Sequence, residues 1–254
     1  MVDDLEAKQP TRAWQGRCVS DYNSKHRNEW AGCTWEQAVT MMKDGDVEGA
    51  ALIREAGEIS VPKTGGQPVT RLSVRGCLPS VPNYLRGVPT NMIDVKREPR
   101  KQPTINLYLN CIMSASISRK DAAEAARKIA GVVKLVEMKG VRINIFSGMI
   151  NIFGGTAFSC WTKIKDSSAP LNLVNVAFAL THPAFLRRIS FAWIERYSEK
   201  YDSGYGFVKT FKQLEQEAGL KYEGVKIDLQ EVILDKWSEE KISSIFNQYM
   251  KEGK

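Results

Sequence analysis

Residues 104–147, TINLYLNCIMSASISRKDAAEAARKIAGVVKLVEMKGVRINIFS, decide the fold. TINLYLNCI alternates as a strand does, with Ile105, Leu107, Leu109 and Cys111 on one face and Asn106, Tyr108 and Asn110 on the other. The spacing then predicts a helix opened by Ser118, with Asp121 three residues later as a capping box, and closed by Gly140. VRINIFS alternates again. Strand, helix and strand in this order imply a right-handed crossover and a partly parallel sheet. The fold class is therefore α/β (α+β): a mixed, partly parallel sheet flanked by helices.

Working outward, Thr34 and Gln37 form a second capping box at the start of a helix that Gly45 stops, and VEGAALIREAG reads as another helix ending at Gly57. Upstream of the sheet, VTRLSVRGC reads as a strand with Leu72 and Val74 on one face and Arg71, Ser73 and Arg75 on the other. VPNYLRG reads as a single turn before a basic connector that holds Lys96, Arg97, Arg100 and Lys101. Downstream, AFSCWTKIKDS is a strand placing Trp161, Lys163 and Lys165 on one face. Pro170 fits the first residue of a helix over LNLVNVAFAL, and Pro183 starts the next. A helix from 207, a short strand in YEGVKIDL and a helix capped by Ser238 complete the chain. The division expected is an N-terminal arm with a small helical segment (1–60), a central α/β core (61–201) and a C-terminal helical extension (202–254).

The 254 residues, 43% of them hydrophobic, suffice for a real core. No run of about 18 uncharged apolar residues occurs, and MVDDLEAKQP carries acids where a signal peptide has bases, so a soluble, intracellular, membrane-free protein is expected. Cys18, Cys33, Cys77, Cys111 and Cys160 are odd in number and contain no C-x-x-C pair, which points to reduced thiols. Cys18, His26 and Cys33 match no common zinc-finger spacing. Nucleotide-binding, serine-hydrolase and zinc-protease motifs are absent, no carboxylate pair stands out, and His182 before Pro183 reads as a helix-start residue, so neither an enzyme nor a cofactor is expected.

Charge supplies the functional lead. Residues 1–59 carry 7 basic and 11 acidic groups, net −4, whereas 60–165 carry 17 basic and 5 acidic, net +12. Such asymmetry suits a polyanion, because a surface that neutralises phosphates releases condensed counterions. Single-stranded nucleic acid is gripped by cations along its backbone and by rings on which bases stack. Arg71 and Arg75, Tyr108, and Trp161 with Lys163 and Lys165 offer that mixture on three strands. Ordinary solvent-facing alternation, or burial of Tyr108 and Trp161 under helices, explains the same residues. The Lys96, Arg97, Arg100 and Lys101 cluster is either a phosphate-gripping loop or a solvated charge run. On the helix from Pro183, Phe185, Leu186, Ile189, Trp193 and Tyr197 form one stripe, while Arg187, Phe191 and Ile194 form another. Two apolar sides mean a sandwiched helix, an oligomer interface, or nucleic-acid contact through Arg187 and Arg188.

Two resemblances bear on these readings. INLYLNCIMSAS before a capped helix resembles the metal-binding corner of a von Willebrand factor A domain. Ser114 and Ser116 match its two serines, but Ile112 stands where that corner has aspartate, which leaves a divalent cation without its main charged ligand. VPNYLRGVPTNMID (81–94) and HPAFLRRISFAWIERY (182–197), across residues 70–200, resemble the single-stranded-DNA-binding RNA polymerase cofactors of a bacteriophage (podovirus) lineage. That resemblance implies binding of single-stranded DNA without strong sequence preference, self-association into a homo-oligomer, partnership with a phage RNA polymerase, and residence in the host cytoplasm; the expected role is in phage transcription or replication. It assigns no individual residues. The alternative expectation is a protein-interaction scaffold with a degenerate A-like domain; a hydrolase or nuclease would need a metal cluster of acids.

Overall fold

The computed structural model describes residues 2–7, 29–58, 70–95, 102–153, 156–197 and 208–252. The chain divides into two units, a body formed by residues 1–61 and 103–254 and a smaller unit formed by 62–102.

The body is a mixed α/β structure around a four-stranded sheet. Its strands are β4 (Thr104–Asn110), β5 (Arg142–Phe153), β6 (Thr156–Lys165) and β7 (Val225–Asp228), in the order β6-β5-β4-β7. β4 pairs parallel with β5 and with β7, and β5 pairs antiparallel with β6. The parallel pairing of β4 and β5 across the 20-residue helix α5 (Arg119–Met138) is the arrangement expected from 104–147. Ser118 and Asp121 form the capping box at the start of α5.

One face of the sheet carries Leu107, Leu109, Ile143, Ile145, Val225 and Ile227, all buried. The small residues Ala123 and Ala126 of α5, with Ile129 and Val133, close that core. α6 (Leu173–Thr181) lies in the same layer, and α2 (Trp35–Asp44) and α3 (Val47–Glu55) pack on α6. Gly45, at φ +90, ends α2 where an added Cβ would sit 2.6 Å from Val174, so both backbone angle and space require glycine there. α6 begins at Leu173 and not at Pro170, because the Asn172 side chain accepts the Val174 N–H at 3.0 Å and forms the cap. On the opposite sheet face lies α8 (Phe211–Ala218), whose Phe211 and Leu214 pack on Ile150 and Ile152. α9 (Leu229–Leu234) and α10 (Glu239–Lys251) close the chain against α5.

The expected three-part division changes accordingly. Because β7 bonds to β4 inside the sheet, the C-terminal segment 208–252 is part of the core and not an appendage. The N-terminal helices α1 (Val2–Ala7), α2 and α3 also belong to the body. Conversely, 62–102 leaves the expected core. Its elements are β1 (Thr70–Ser73), β2 (Leu78–Pro79), α4 (Val81–Leu85) and β3 (Met92–Val95), with the sheet order β1-β3-β2.

The segment from Pro183 is not one regular helix. Residues Phe185–Ser190 are π-helical, with Ser190 Oγ donating to Phe185 O at 3.0 Å, and α7 (Phe191–Tyr197) follows. The wider turn shifts the register of the residues beyond it; Phe185, Leu186, Ile189, Phe191 and Ile194, drawn from both apolar stripes, are buried, while Trp193 is half-buried and Tyr197 is exposed. Phe185 and Ile189 join the main core, while Leu186, Phe191 and Ile194 pack with Ile112, Met149 and Cys160. Four described cysteines are free thiols. Burial pushes Cys33 up to about 11 and Cys111 and Cys160 up to about 12, so these three are poor nucleophiles at neutral pH. Among the described residues no helix is long and apolar enough to cross a membrane.

Candidate nucleic-acid interface

Register places four side chains in a row across the sheet face opposite α5. Lys163 on β6 pairs with Phe146 on β5, Phe146 with Tyr108 on β4, and Tyr108 with Lys226 on β7. Side chains at paired positions project from the same face, so two rings lie between two ammonium groups. Tyr108 and Phe146 stack with centroids 5.1 Å apart and planes 17° apart. Lys163 Nζ lies 5.9 Å from the Phe146 centroid and 2.9 Å from Asp166. Tyr108 and Phe146 are half-buried and Lys163 is exposed, so the row is accessible in part. Burial, then the neighbouring Tyr222, pushes the Tyr108 hydroxyl above its ordinary value and keeps it a neutral donor.

The adjoining row is covered. Trp161 pairs with Gly148, where an added Cβ would lie 1.8 Å from Cys160 O and 2.8 Å from the indole; glycine lets the ring lie close over the strand. Phe211 of α8 stacks on Trp161 at 5.6 Å. Asp228 anchors the start of α8 by accepting the Phe211 N–H at 3.2 Å and also accepts Asn110 Nδ2 at 2.7 Å. Tyr222 packs 5.0 Å from Tyr108 and 5.3 Å from Trp161. Tyr108 and Trp161 thus meet on one face, which alternation within each strand does not reveal, but Trp161 lies between Gly148 and Phe211 and supports α8.

Other residues expected at a nucleic-acid surface are placed differently. Lys165 is corrected: its side chain is 2% exposed, with Nζ 2.6 Å from Glu137 and 3.0 Å from Ile143 O. The cause is a β-bulge. The register runs from Phe146 opposite Lys163 to Ile145 opposite Lys165, so Ile164 is an extra residue and Lys165 turns to the core face. Arg188 is corrected too, being fully buried and donating to Cys33 O at 3.2 Å. Arg187, half-buried, donates to Trp30 O and lies 4.8 Å over the Trp30 ring, which ties it to the N-terminal segment. Arg71, exposed, pairs with Asp94 at 3.1 Å, and Arg75 is exposed; both belong to the 62–102 unit. Lys96, Arg97, Arg100 and Lys101 lie outside the described residues, as do Cys18 and His26.

Phe146 and Lys226 went unread in the sequence. VRINIFS shows Phe146 on the polar face beside Asn144, a signal in itself, but the partner strand of YEGVKIDL is not readable without register.

A crevice of about 120 Å³ at the carboxyl end of β4 is lined by Ser114, Ser118, Arg119, Thr181, His182 and Arg187 among others. Here Ser114 and Ser116 hydroxyls lie 3.0 Å apart, while Ile112 is buried in an apolar cluster. The corner therefore offers hydroxyls without a carboxylate, and no group of three His, Cys, Asp or Glu suited to a metal occurs among the described residues. His182 Nδ1 accepts the Ala184 N–H at 3.1 Å, and burial, then Arg119, holds the imidazole down to about 4. It is neutral at neutral pH and serves the helix start.

No curated protein and no solved structure matches the chain. One family model, described as Domain of unknown function (DUF7192), matches residues 1–250, and the chain belongs to that family.

Proposed function

We propose that this protein binds single-stranded nucleic acid, without strong sequence preference, on the open part of the sheet face beside α8. The Lys163–Phe146–Tyr108–Lys226 row carries the reading. Rings held rigidly by a sheet stack bases at little cost in side-chain entropy, and flanking ammonium groups follow the phosphates. Residues 103–165, in the same unit as the row, hold 9 basic and 3 acidic groups, an excess that raises the local concentration of a polyanion. DNA as the natural ligand, a phage RNA polymerase as partner, self-association and a place in the host cytoplasm rest on the sequence resemblance. The reading needs no bond-making chemistry.

Anisotropy titrations with labelled single-stranded DNA, single-stranded RNA and duplex at two salt concentrations test it. Tight single-strand binding that weakens as salt rises, and weakens further in Tyr108→Leu, supports it. Preference for duplex, or single-strand binding that Tyr108→Leu leaves unchanged, overturns it.

A further inference from the structure

The 62–102 unit carries a second surface of different chemistry. Its three-stranded sheet is antiparallel, with Leu72 opposite Ile93 and Ile93 opposite Leu78. That register sets three aliphatic side chains in one row, and Val74, in the bend after β1, is exposed as well. Gly76 makes the turn possible: a Cβ there would lie 2.3 Å from Ile93 O, where Cys77 N–H now bonds at 3.0 Å. Leu72, Val74 and Leu78 are 52, 67 and 58% exposed, and Val81, Tyr84 and Leu85 of α4 are 60, 68 and 78% exposed. Among its described residues none is buried. A 41-residue unit with no buried side chain among its described residues sits at the size where folded chains need another surface to cover them.

Charge narrows what covers it. Residues 62–102 hold 8 basic and 2 acidic groups, net +6, with Arg75 and Arg86 exposed near the apolar positions. A second copy pairing face to face would bring two such fields together, which repel. Nucleic acid fits the charge but not the surface: bases stack on rings, and Tyr84 is the single aromatic residue of 62–102. Leucine, isoleucine and valine in rows are what apolar side chains of another protein pack against. We infer that the 62–102 unit is a docking module for an amphipathic segment of a partner protein, one with aliphatic side chains along one face and Asp or Glu flanking them. The inference does not rest on the proposed nucleic-acid row.

The probe is a labelled synthetic peptide that, as a helix, carries leucines along one face and glutamates along the other, titrated into the full chain. Saturable binding is expected, roughly tenfold weaker in Leu72→Ser/Leu78→Ser and in Arg75→Glu/Arg86→Glu. A version with lysine in place of glutamate should bind as weakly, Tyr108→Leu should bind the original peptide normally, and excess oligo-dT should leave it bound. Because the substituted side chains are exposed, circular dichroism of both variants should match the wild type. Absence of peptide binding, or binding that either double variant leaves unchanged, overturns the inference. So does displacement by oligo-dT, capture of the chain by phosphatidylserine vesicles that Leu72→Ser/Leu78→Ser abolishes, or a wild-type oligomer that the same variant dissociates.

Discussion

Trp161 and Phe211 stack with centroids 5.6 Å apart and planes 10° apart, so a ring on the edge strand β6 is the seat on which α8 rests. The Trp161 Nε1–H is buried there with no acceptor. Phe211→Ala should cost about 3 kcal/mol, the usual loss for a truncated buried ring. Trp161→Ala should cost as much, whereas Trp161→Phe, which removes an unpaired donor along with some area, should cost clearly less. Urea denaturation ranks the three; equal losses in Trp161→Phe and Trp161→Ala would show that the indole makes a hydrogen bond.

In the nucleic-acid row, Tyr108→Leu should weaken single-strand binding by about 1–3 kcal/mol while leaving its dependence on salt unchanged, because stacking is not ionic. Lys163→Gln and Lys226→Gln should each lower the slope of log K against log salt by about 0.7. Anisotropy across a salt series separates the two effects. A slope altered by Tyr108→Leu would contradict the division of labour.

Lys165 and Glu137 form a buried ion pair between β6 and the last turn of α5. Removing one partner leaves an uncompensated charge in the core, so Lys165→Met or Glu137→Leu alone should destabilise by about 3–5 kcal/mol. The double variant should recover most of that loss, since an apolar pair needs no desolvation of charge. Thermal melts of the three variants decide. Lys165→Met should leave single-strand affinity unchanged.

Two buried groups pull stability in opposite directions as pH changes. Burial raises Asp228 from 3.8 to about 6, so the folded chain holds a proton that the unfolded chain has lost. Its contribution is complete below about 3.8 and disappears as pH rises through 6. His182 is lowered from 6.5 to about 4, so its contribution is present above 6.5 and is lost as pH falls through 4. Relative to the wild type, Asp228→Asn should therefore gain stability as pH rises through 6, with Oδ1 still placed to accept from Phe211 N and Asn110. His182→Asn should gain as pH falls towards 4. Denaturation midpoints measured at intervals from pH 4 to 8 show both crossings, and parallel wild-type and variant curves would refute the assignment.

Much of the fold follows from local chemistry. The capping pairs Thr34/Gln37 and Ser118/Asp121 form as read, because a cap needs only residues three apart. The alternation of β4 correctly divides Leu107 and Leu109 from Tyr108, and the strand–helix–strand order correctly yields a parallel pair. The helix after Pro183 shows its apolar residues plainly, though not the π-helical turn from which Phe185 and Ile189 enter one cluster and Leu186 another.

What lay beyond local chemistry is the placing of charge. Lys163 and Lys165 look equivalent in a period-two strand, yet one extra residue at Ile164 sends the first to solvent and the second to Glu137. Arg187 and Arg188 look like a cationic patch, yet the carbonyls of Trp30 and Cys33, more than 150 residues away in sequence, take their donors. By itself the sequence determined which segments become helix or strand and which strand faces are apolar, since those depend on neighbours within a turn or a pleat. Only the tertiary structure decided which cations remain in water and which rings share a row, because strand register and the partners of buried charges are set between segments that are distant along the chain.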